Sequence, residues 1–293
     1  MPWLRYTVAP SDDGCTVRDL LTARLGVSSS LRKALVRRKG VLLNGECVFL
    51  STVPAPGDVL AVDVTDPDAP SSIVPVDFPL SVLWEDAHLL AVDKPAGITV
   101  HGAALTEEAV TVVGAAAHYL GNTAIHAVNR LDRGTSGVML LAKSGYMHAR
   151  CMELLHTADL SREYRAVCEG VPSPACGVID APIGRDETSL LRRCVRSDGQ
   201  PAVTEYDVLD THHGRSLLRL LPRTGRTHQL RVHMAHIGHP LIGDWLYGTE
   251  NNTLITRPAL HSHQLRFTHP LTGEVVELTA PLPEDMLRLL EEM

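Results

Sequence analysis

The 293-residue chain reads as an α+β protein in two parts. Helical periodicities and strand-like apolar runs alternate irregularly along it, without regular strand–helix–strand units. That pattern favours a mixed, largely antiparallel sheet. At the N-terminal end, two short helical stretches and a small hairpin stand apart, ahead of a Pro-rich segment. No Gly-rich phosphate loop follows a strand, so a nucleotide-cofactor fold is not expected. The expected division is a small αα-β module over 14–65, a linker over 66–79 and an α+β body over 80–293.

The module opens with helices expected at 16–25 and 29–39. Leu20, Leu21 and Leu25 recur at helical spacing in the first; Leu31, Leu35 and Val36 do so in the second. Ser28, Ser29 or Ser30 can cap the second helix. Its far face carries Arg32, Lys33, Arg37, Arg38 and Lys39. Asn44-Gly45 then falls between two short apolar runs, the strongest short-range hairpin signal. Pro56-Gly57-Asp58 turns the chain into a strand over 59–64. From Gly14 to Thr65, seven Lys+Arg oppose four Asp+Glu, a balance of +3. The whole chain carries −7, so the remainder carries −10. A charge run on a helix is usually a solvated face. A basic module on an acidic body is also the distribution that phosphate contacts would need.

Residues 65–79 are Pro-rich, have little periodicity and should run extended. In the body, 82–86 and 89–93 read as strands, followed by a turn at Lys94-Pro95-Ala96-Gly97. A helix is expected over 107–120, a buried strand over 138–142 and a helix over 145–156. Further strands are expected over 163–168, 203–209 and 217–221. Thr227 can cap a helix running to about Ile237. Leu230, Met234 and Ile237 form its core stripe, with Arg231 just off it at the edge of burial.

Apolar residues make up 44% of the chain but aromatics only 4%, so the core must be mostly aliphatic. No apolar run approaches a membrane span, and the N-terminus lacks a signal peptide's apolar stretch. Six scattered cysteines without C-x-x-C suit reduced thiols and a cytoplasmic location.

The most informative stretch is Asn129-Arg130-Leu131-Asp132-Arg133-Gly134-Thr135-Ser136-Gly137. One carboxylate sits between two arginines and enters a Gly-Thr-Ser-Gly turn. The apolar run Val138-Met139-Leu140-Leu141-Ala142 follows as a rigid support. A positioned carboxylate on a loop beside a buried strand is a catalytic arrangement. Alone, an Arg-Asp pair is more often a surface salt bridge. The full run resembles the H-R-L-D-x-x-T-S-G signature of the RluA-type pseudouridine synthases, with Asn129 in place of the usual His. Arg162-Glu163-Tyr164 resembles the family's K/R-x-Y. Arg226-Thr227-His228-Gln229-Leu230-Arg231-Val232-His233 resembles its R-T-H-Q-[LI]-R-V-H. Gly238–Asp244, Leu246-Tyr247-Gly248, Leu260–His263 and Gly273-Glu274 also match. Together these span roughly residues 80–280, in the family's order. The N-terminal segment resembles an S-four-type RNA-binding module.

The resemblance implies an RNA pseudouridine synthase with Asp132 as its catalytic residue. Arg130 would occupy the space that a flipped uridine leaves. Tyr164 would stack on the uracil, Leu230 would wall the pocket, and Arg231 would pair with Asp132. Arg32, Lys33, Arg37, Arg38 and Lys39 would contact RNA. The expected partner is RNA, with ribosomal RNA favoured over transfer RNA, and the chain is expected to be monomeric. Isomerisation adds, removes and oxidises nothing overall, so no cofactor and no metal are expected. Two other classes compete with this reading. A non-catalytic RNA-binding or ribosome-assembly factor is disfavoured by Asp132, Tyr164 and Arg231 occurring together. A metal hydrolase built on the fifteen histidines is disfavoured because H-E-x-x-H is absent and no acid falls between His228 and His239.

Overall fold

The computed structural model describes residues 3–66, 73–102, 110–155, 157–249 and 254–291. The N-terminal unit contains β1 (Trp3–Thr7), α1 (Val17–Ala23), α2 (Ser29–Arg38), β2 (Val41–Leu43), β3 (Glu46–Cys47) and β4 (Val59–Asp63). Its sheet runs β1-β4-β2-β3, antiparallel throughout. Thr16 and Asp19 form a reciprocal capping box on α1. The Ser28 hydroxyl caps α2 by accepting from the Leu31 N–H at 3.2 Å. Asn44 and Gly45 have φ of 51° and 92°, both positive, which suits an Asn-Gly hairpin turn. The Asn44 side chain also accepts from the Val59 N–H at 2.9 Å, joining the turn to β4.

Leu20, Leu21, Leu35, Leu60 and Val62 fill a core between these helices and strands, and Tyr146 from further along the chain packs into it. Val36, expected on the core stripe, is instead 55% exposed. The helix turns Leu31 and Leu35 inward and leaves Val36 on the water side. Strand β1 was not expected. Its short sequence has weak alternation, and only its partner β4 makes it a strand.

The body contains β5 (Ser81–Glu85), β6 (Leu89–Lys94), α3 (Val112–Leu120), β7 (His126–Ala127), β8 (Ser136–Ala142), α4 (Gly145–Leu154) and β9 (Leu160–Glu169). It continues with β10 (Cys176–Asp180), β11 (Ile183–Arg185), β12 (Arg193–Val195), β13 (Val203–His212), β14 (Arg215–Pro222) and α5 (Gln229–His236). The last elements are β15 (Leu260–Thr268), β16 (Val275–Thr279) and α6 (Glu284–Glu291). The main sheet runs β10-β13-β14-β9-β15-β8-β6-β5, with β16 on β15 and β7 on β8. All its pairs are antiparallel except β15 with β8. The fold is α+β, with a mixed and mostly antiparallel sheet.

Strand β8 is buried along its whole length, as its unbroken apolar run requires. Thr111 caps α3, so the helix begins later than expected, and 107–109 of the expected helix lie outside the described residues. The expected end of the next helix, His156, is also outside them. Residues 73–79 form no regular element, yet they are fastened. Val76 donates its N–H to the Gly114 carbonyl at 3.1 Å, and Ile73 packs on the body core. At the other end of the Pro-rich segment, Asp66 accepts from the Gly145 N–H at 2.8 Å and meets His126 Nε2 at 2.7 Å. The Tyr146 hydroxyl donates to the Leu25 carbonyl at 2.7 Å, a further tie between the N-terminal unit and the body.

Candidate active site

The turn at Asp132 is held from several sides. It closes where the Thr135 N–H donates to the Asp132 carbonyl at 3.0 Å. Asn129 pins the entering chain to β8: its Oδ1 accepts from Leu140 N–H at 2.8 Å, and its Nδ2 donates to the Val138 carbonyl at 3.3 Å. The residue that departs from the family pattern is therefore a buried bracket for the loop.

Lys94 is fully buried, and its ammonium donates to the carbonyls of Pro95, Thr135 and Arg133 at 2.9, 2.8 and 3.2 Å. Burial pulls its pKa down from 10.5 to about 8, with nearby Arg257 acting in the same direction. Arg257 is held by both oxygens of Asp285 and donates to the Gly134 carbonyl at 3.1 Å. Gly137 has φ of 110°, and a Cβ there would lie 2.2 Å from the Ser262 carbonyl oxygen. Only glycine permits this close approach of β8 and β15.

Asp132 opens onto a cleft of about 680 Å³. One wall is the loop from Val128 to Asp132. The others come from Tyr164 on β9, the 222–228 loop, and Leu230 and Arg231 on α5. The structure thus brings Arg130, Asp132, Tyr164, Leu230 and Arg231 around one cavity. Arg130 is exposed, whereas Tyr164 is buried except for its face on the cleft. Burial pushes the Tyr164 phenol above its ordinary pKa.

Arg231 departs from the sequence expectation in two ways. It is buried at 6% exposure, not at a helix edge. Its principal partner is Asp244, fully buried, which takes Nε and Nη2 in a fork at 2.7 Å each. The remaining nitrogen, Nη1, reaches Asp132 Oδ2 at 3.6 Å. Backbone N–H groups of Leu246 and Tyr247 also donate to Asp244 Oδ1, at 3.1 and 3.3 Å. The Arg231 guanidinium lies over the Tyr247 ring, 5.0 Å from its centre. Burial works against the Arg231 charge, but its hydrogen bonds to Asp244 outweigh this and raise its pKa. A planar fork locked on one carboxylate aims its third nitrogen with little freedom.

The cap expected at Thr227 falls one residue later. His228 is the N-cap in a left-handed conformation, φ 59°, and its side chain makes no capping bond. Gln229 instead fastens the turn ahead of the helix: its Oε1 accepts from the Arg226 N–H at 3.0 Å and the Thr224 hydroxyl at 2.7 Å. This tight entry turns the His228 ring into the cleft. His233, on the same helix, is a core residue that meets Thr204 Oγ1 and the Ala181 carbonyl at 2.9 Å each.

Sequence reasoning missed Lys94, Arg257 and Asp244 as supports. Lys94 lay in a recognised turn and Asp244 in a matching tail, but a charged residue carries no local sign of burial.

The sequence matches the RNA pseudouridylate synthase family over residues 88–236. It is 39% identical over 260 residues to the uncharacterized RNA pseudouridine synthase YlyB of Bacillus subtilis, covering 86% of this chain and 85% of the relative. It is 36% identical over 309 residues to ribosomal large subunit pseudouridine synthase D of Xanthomonas campestris, covering 99% of this chain and 92% of the relative. Among solved structures, human RNA pseudouridylate synthase domain containing 4 superimposes with a TM-score of 0.59 at 28% identity, over 72% of this chain and 92% of that one. The chain belongs to the RNA pseudouridylate synthase family. It is an isomerase that converts uridine in RNA to pseudouridine.

Proposed function

We propose that this enzyme modifies uridines of large-subunit ribosomal RNA, with Asp132 acting at the sugar and the N-terminal unit as a second grip on the RNA. The carrying observation is the pairing of a cleft-facing carboxylate with an arginine whose fork is already committed to Asp244. Asp132 is thereby left available to substrate while its Oδ2 is oriented.

The reaction breaks the bond from C1′ to N1, turns the uracil and joins C1′ to C5. The hydrogen on C5 leaves and N1 gains one, so atoms balance without an oxidant. The uridine must leave its stack to expose these atoms. Arg130, exposed at the mouth, suits the vacated space. The Tyr164 ring offers a stacking face, a contact worth about 1–3 kcal/mol per base. Leu230 walls the pocket. Asp132 serves either as nucleophile at C1′ or as base at C2′.

The relative named for the ribosomal large subunit supports that RNA as the substrate. On the N-terminal unit, Arg32, Lys33 and Arg37 share a shallow groove with Arg18 of α1, which the sequence reading left out. Arg38 is instead turned to Asp63, with Nε 3.4 Å from its carboxylate. Lys39 is exposed at the left-handed end of α2. This surface suits a phosphate backbone. The enzyme works as a monomer in the cytoplasm, without metal or cofactor.

Mapping pseudouridines in RNA from cells with and without this protein tests the substrate. A large-subunit position should lose its modification; loss confined to transfer RNA would move the substrate there, and an unchanged map would overturn the proposal. Purified enzyme should keep turning over in EDTA. Loss of activity that zinc restores would overturn the metal-free reading.

A further inference from the structure

Besides Arg231, the His228 ring faces the Asp132 carboxylate. His228 Nε2 lies 3.9 Å from Asp132 Oδ2, the same oxygen that Arg231 approaches. The other ring nitrogen, Nδ1, is fixed 2.8 Å from the Tyr247 hydroxyl. That hydroxyl is itself anchored, because it accepts the Arg193 N–H at 2.8 Å from strand β12. The chain of contacts therefore runs from a backbone amide, through a tyrosine and a histidine, to Asp132.

The polarity of this chain follows from its ends. Tyr247 accepts from Arg193, which leaves its own hydrogen available to His228 Nδ1. The hydrogen of the neutral ring then sits on Nε2 and faces the carboxylate. The opposite tautomer would aim a lone pair at Asp132 Oδ2. Burial holds His228 below the usual histidine pKa, against the pull of Asp132, so the neutral ring is favoured. Arg231, Asp244 and Arg193 are the other charges acting on it. At 3.9 Å the contact is longer than a hydrogen bond. Catalytic contacts commonly tighten when substrate is seated.

We propose that His228 is a positioning residue for Asp132, held by Tyr247 so that its Nε2–H closes on the carboxylate when the uridine enters. The inference rests on the reading of Asp132 given above. Asp132 then has two donors on Oδ2, Arg231 and His228. Oδ1 is left for the sugar. The turn from Asp244 to Tyr247 orients both donors, gripping Arg231 with its carboxylate and His228 with its phenol.

The backbone at His228 makes the test discriminating. Its φ of 59° is a conformation that asparagine tolerates better than glutamine. A glutamine amide, however, reaches the Nε2 position, whereas an asparagine amide reaches only as far as Nδ1. The measurement is single-turnover release of tritium from C5-labelled uridine in unmodified large-subunit ribosomal RNA transcribed in vitro, with RNA affinity measured alongside. His228→Asn should lower the rate by up to about a hundredfold, with affinity held within about threefold. His228→Gln should recover part of that loss. Tyr247→Phe keeps the ring under Arg231 and should lower the rate in the same direction by less.

If Asn matches or exceeds Gln, His228 serves the backbone and the proposal is overturned. Wild-type rates for the His228 variants, beside an inactive Asp132→Asn, would sink this inference alone. Turnover surviving in Asp132→Asn would sink the reading of Asp132 itself.

Discussion

Lys33 and Arg37 of the N-terminal unit stand in water, whereas Arg231, Arg257 and Lys94 beside the cleft are buried and committed to named partners. Lys33 and Arg37 are exposed, and their surroundings impose no single geometry. Arg231, Arg257 and Lys94 are each less than 10% exposed and grip a carboxylate or loop carbonyls at hydrogen-bond distance. Exposed charges act over several ångströms and fade with salt. Buried pairs act through direction, and breaking one strands its partner. The first kind of surface fits the phosphate contacts proposed for it. The other is suited to holding one carboxylate in one place.

The largest effect should come from the cleft. Asp132→Asn preserves shape and removes the charge. Pseudouridine formation should fall to background while the thermal midpoint and RNA affinity stay near wild type. Measurable turnover by this variant would end the central role of Asp132.

Next comes Arg231. Arg231→Met leaves buried Asp244 without its partner, a loss of about 3–5 kcal/mol in stability for pairs of this kind. Turnover should fall by about a hundredfold or more in variant that remains folded. Arg231→Lys should recover stability better than turnover, because a point charge cannot hold Asp244 and reach Asp132 together. Equal recovery of both would reduce Arg231 to a structural cation. Denaturant unfolding and single-turnover rates, measured on the same preparations, separate the two.

The exposed surface should respond more gently. Replacing Arg32, Lys33 and Arg37 with glutamine should weaken RNA binding and leave the single-turnover rate at saturating RNA unchanged. Each lost phosphate contact should flatten the slope of log affinity against log salt by about 0.7–0.9. An unchanged slope would show this face to be merely solvated, and the contrast between the two regions would collapse.

The smallest effect concerns His261, which lies beside Ser136 on the parallel β8–β15 pair. It is 1% exposed, meets Ser136 Oγ at 2.9 Å, and burial lowers its pKa from 6.5 to about 4. The unfolded chain binds this proton more readily than the folded one. Its contribution to stability is therefore complete above about pH 6.5 and disappears as pH falls through about 4. The slope of unfolding free energy against pH in that window should be shallower in His261→Asn than in wild type. Parallel slopes would remove His261 from the acid response.

Much of this organisation was legible locally. Ser28 and Asn44-Gly45 act through nearby residues, so the start of α2 and the hairpin could be read directly. The apolar run of β8 announced a buried strand because no polar residue interrupts it. By contrast, β15 begins Leu260-His261-Ser262-His263-Gln264, a polar stretch with no clear alternation. It is a strand because β8, β9 and β16 surround it. The short strands β10 to β12 were missed for the same reason.

The sequence by itself determined the α+β class, the loop that carries Asp132 and the stretches that supply Tyr164, Leu230 and Arg231. Periodicity carries the class, and the resemblance to a known family carries the site, since each motif is a local run of chain. Which charges are buried, and whom they grip, was decided only by the tertiary structure. Arg231 and Asp244 are thirteen residues apart, Lys94 and Thr135 forty-one, and Arg257 and Gly134 one hundred and twenty-three. Nothing in a lysine or an arginine marks it for the interior. The cost of burying its charge is met by carboxylates and carbonyls that come together only when the sheet has formed.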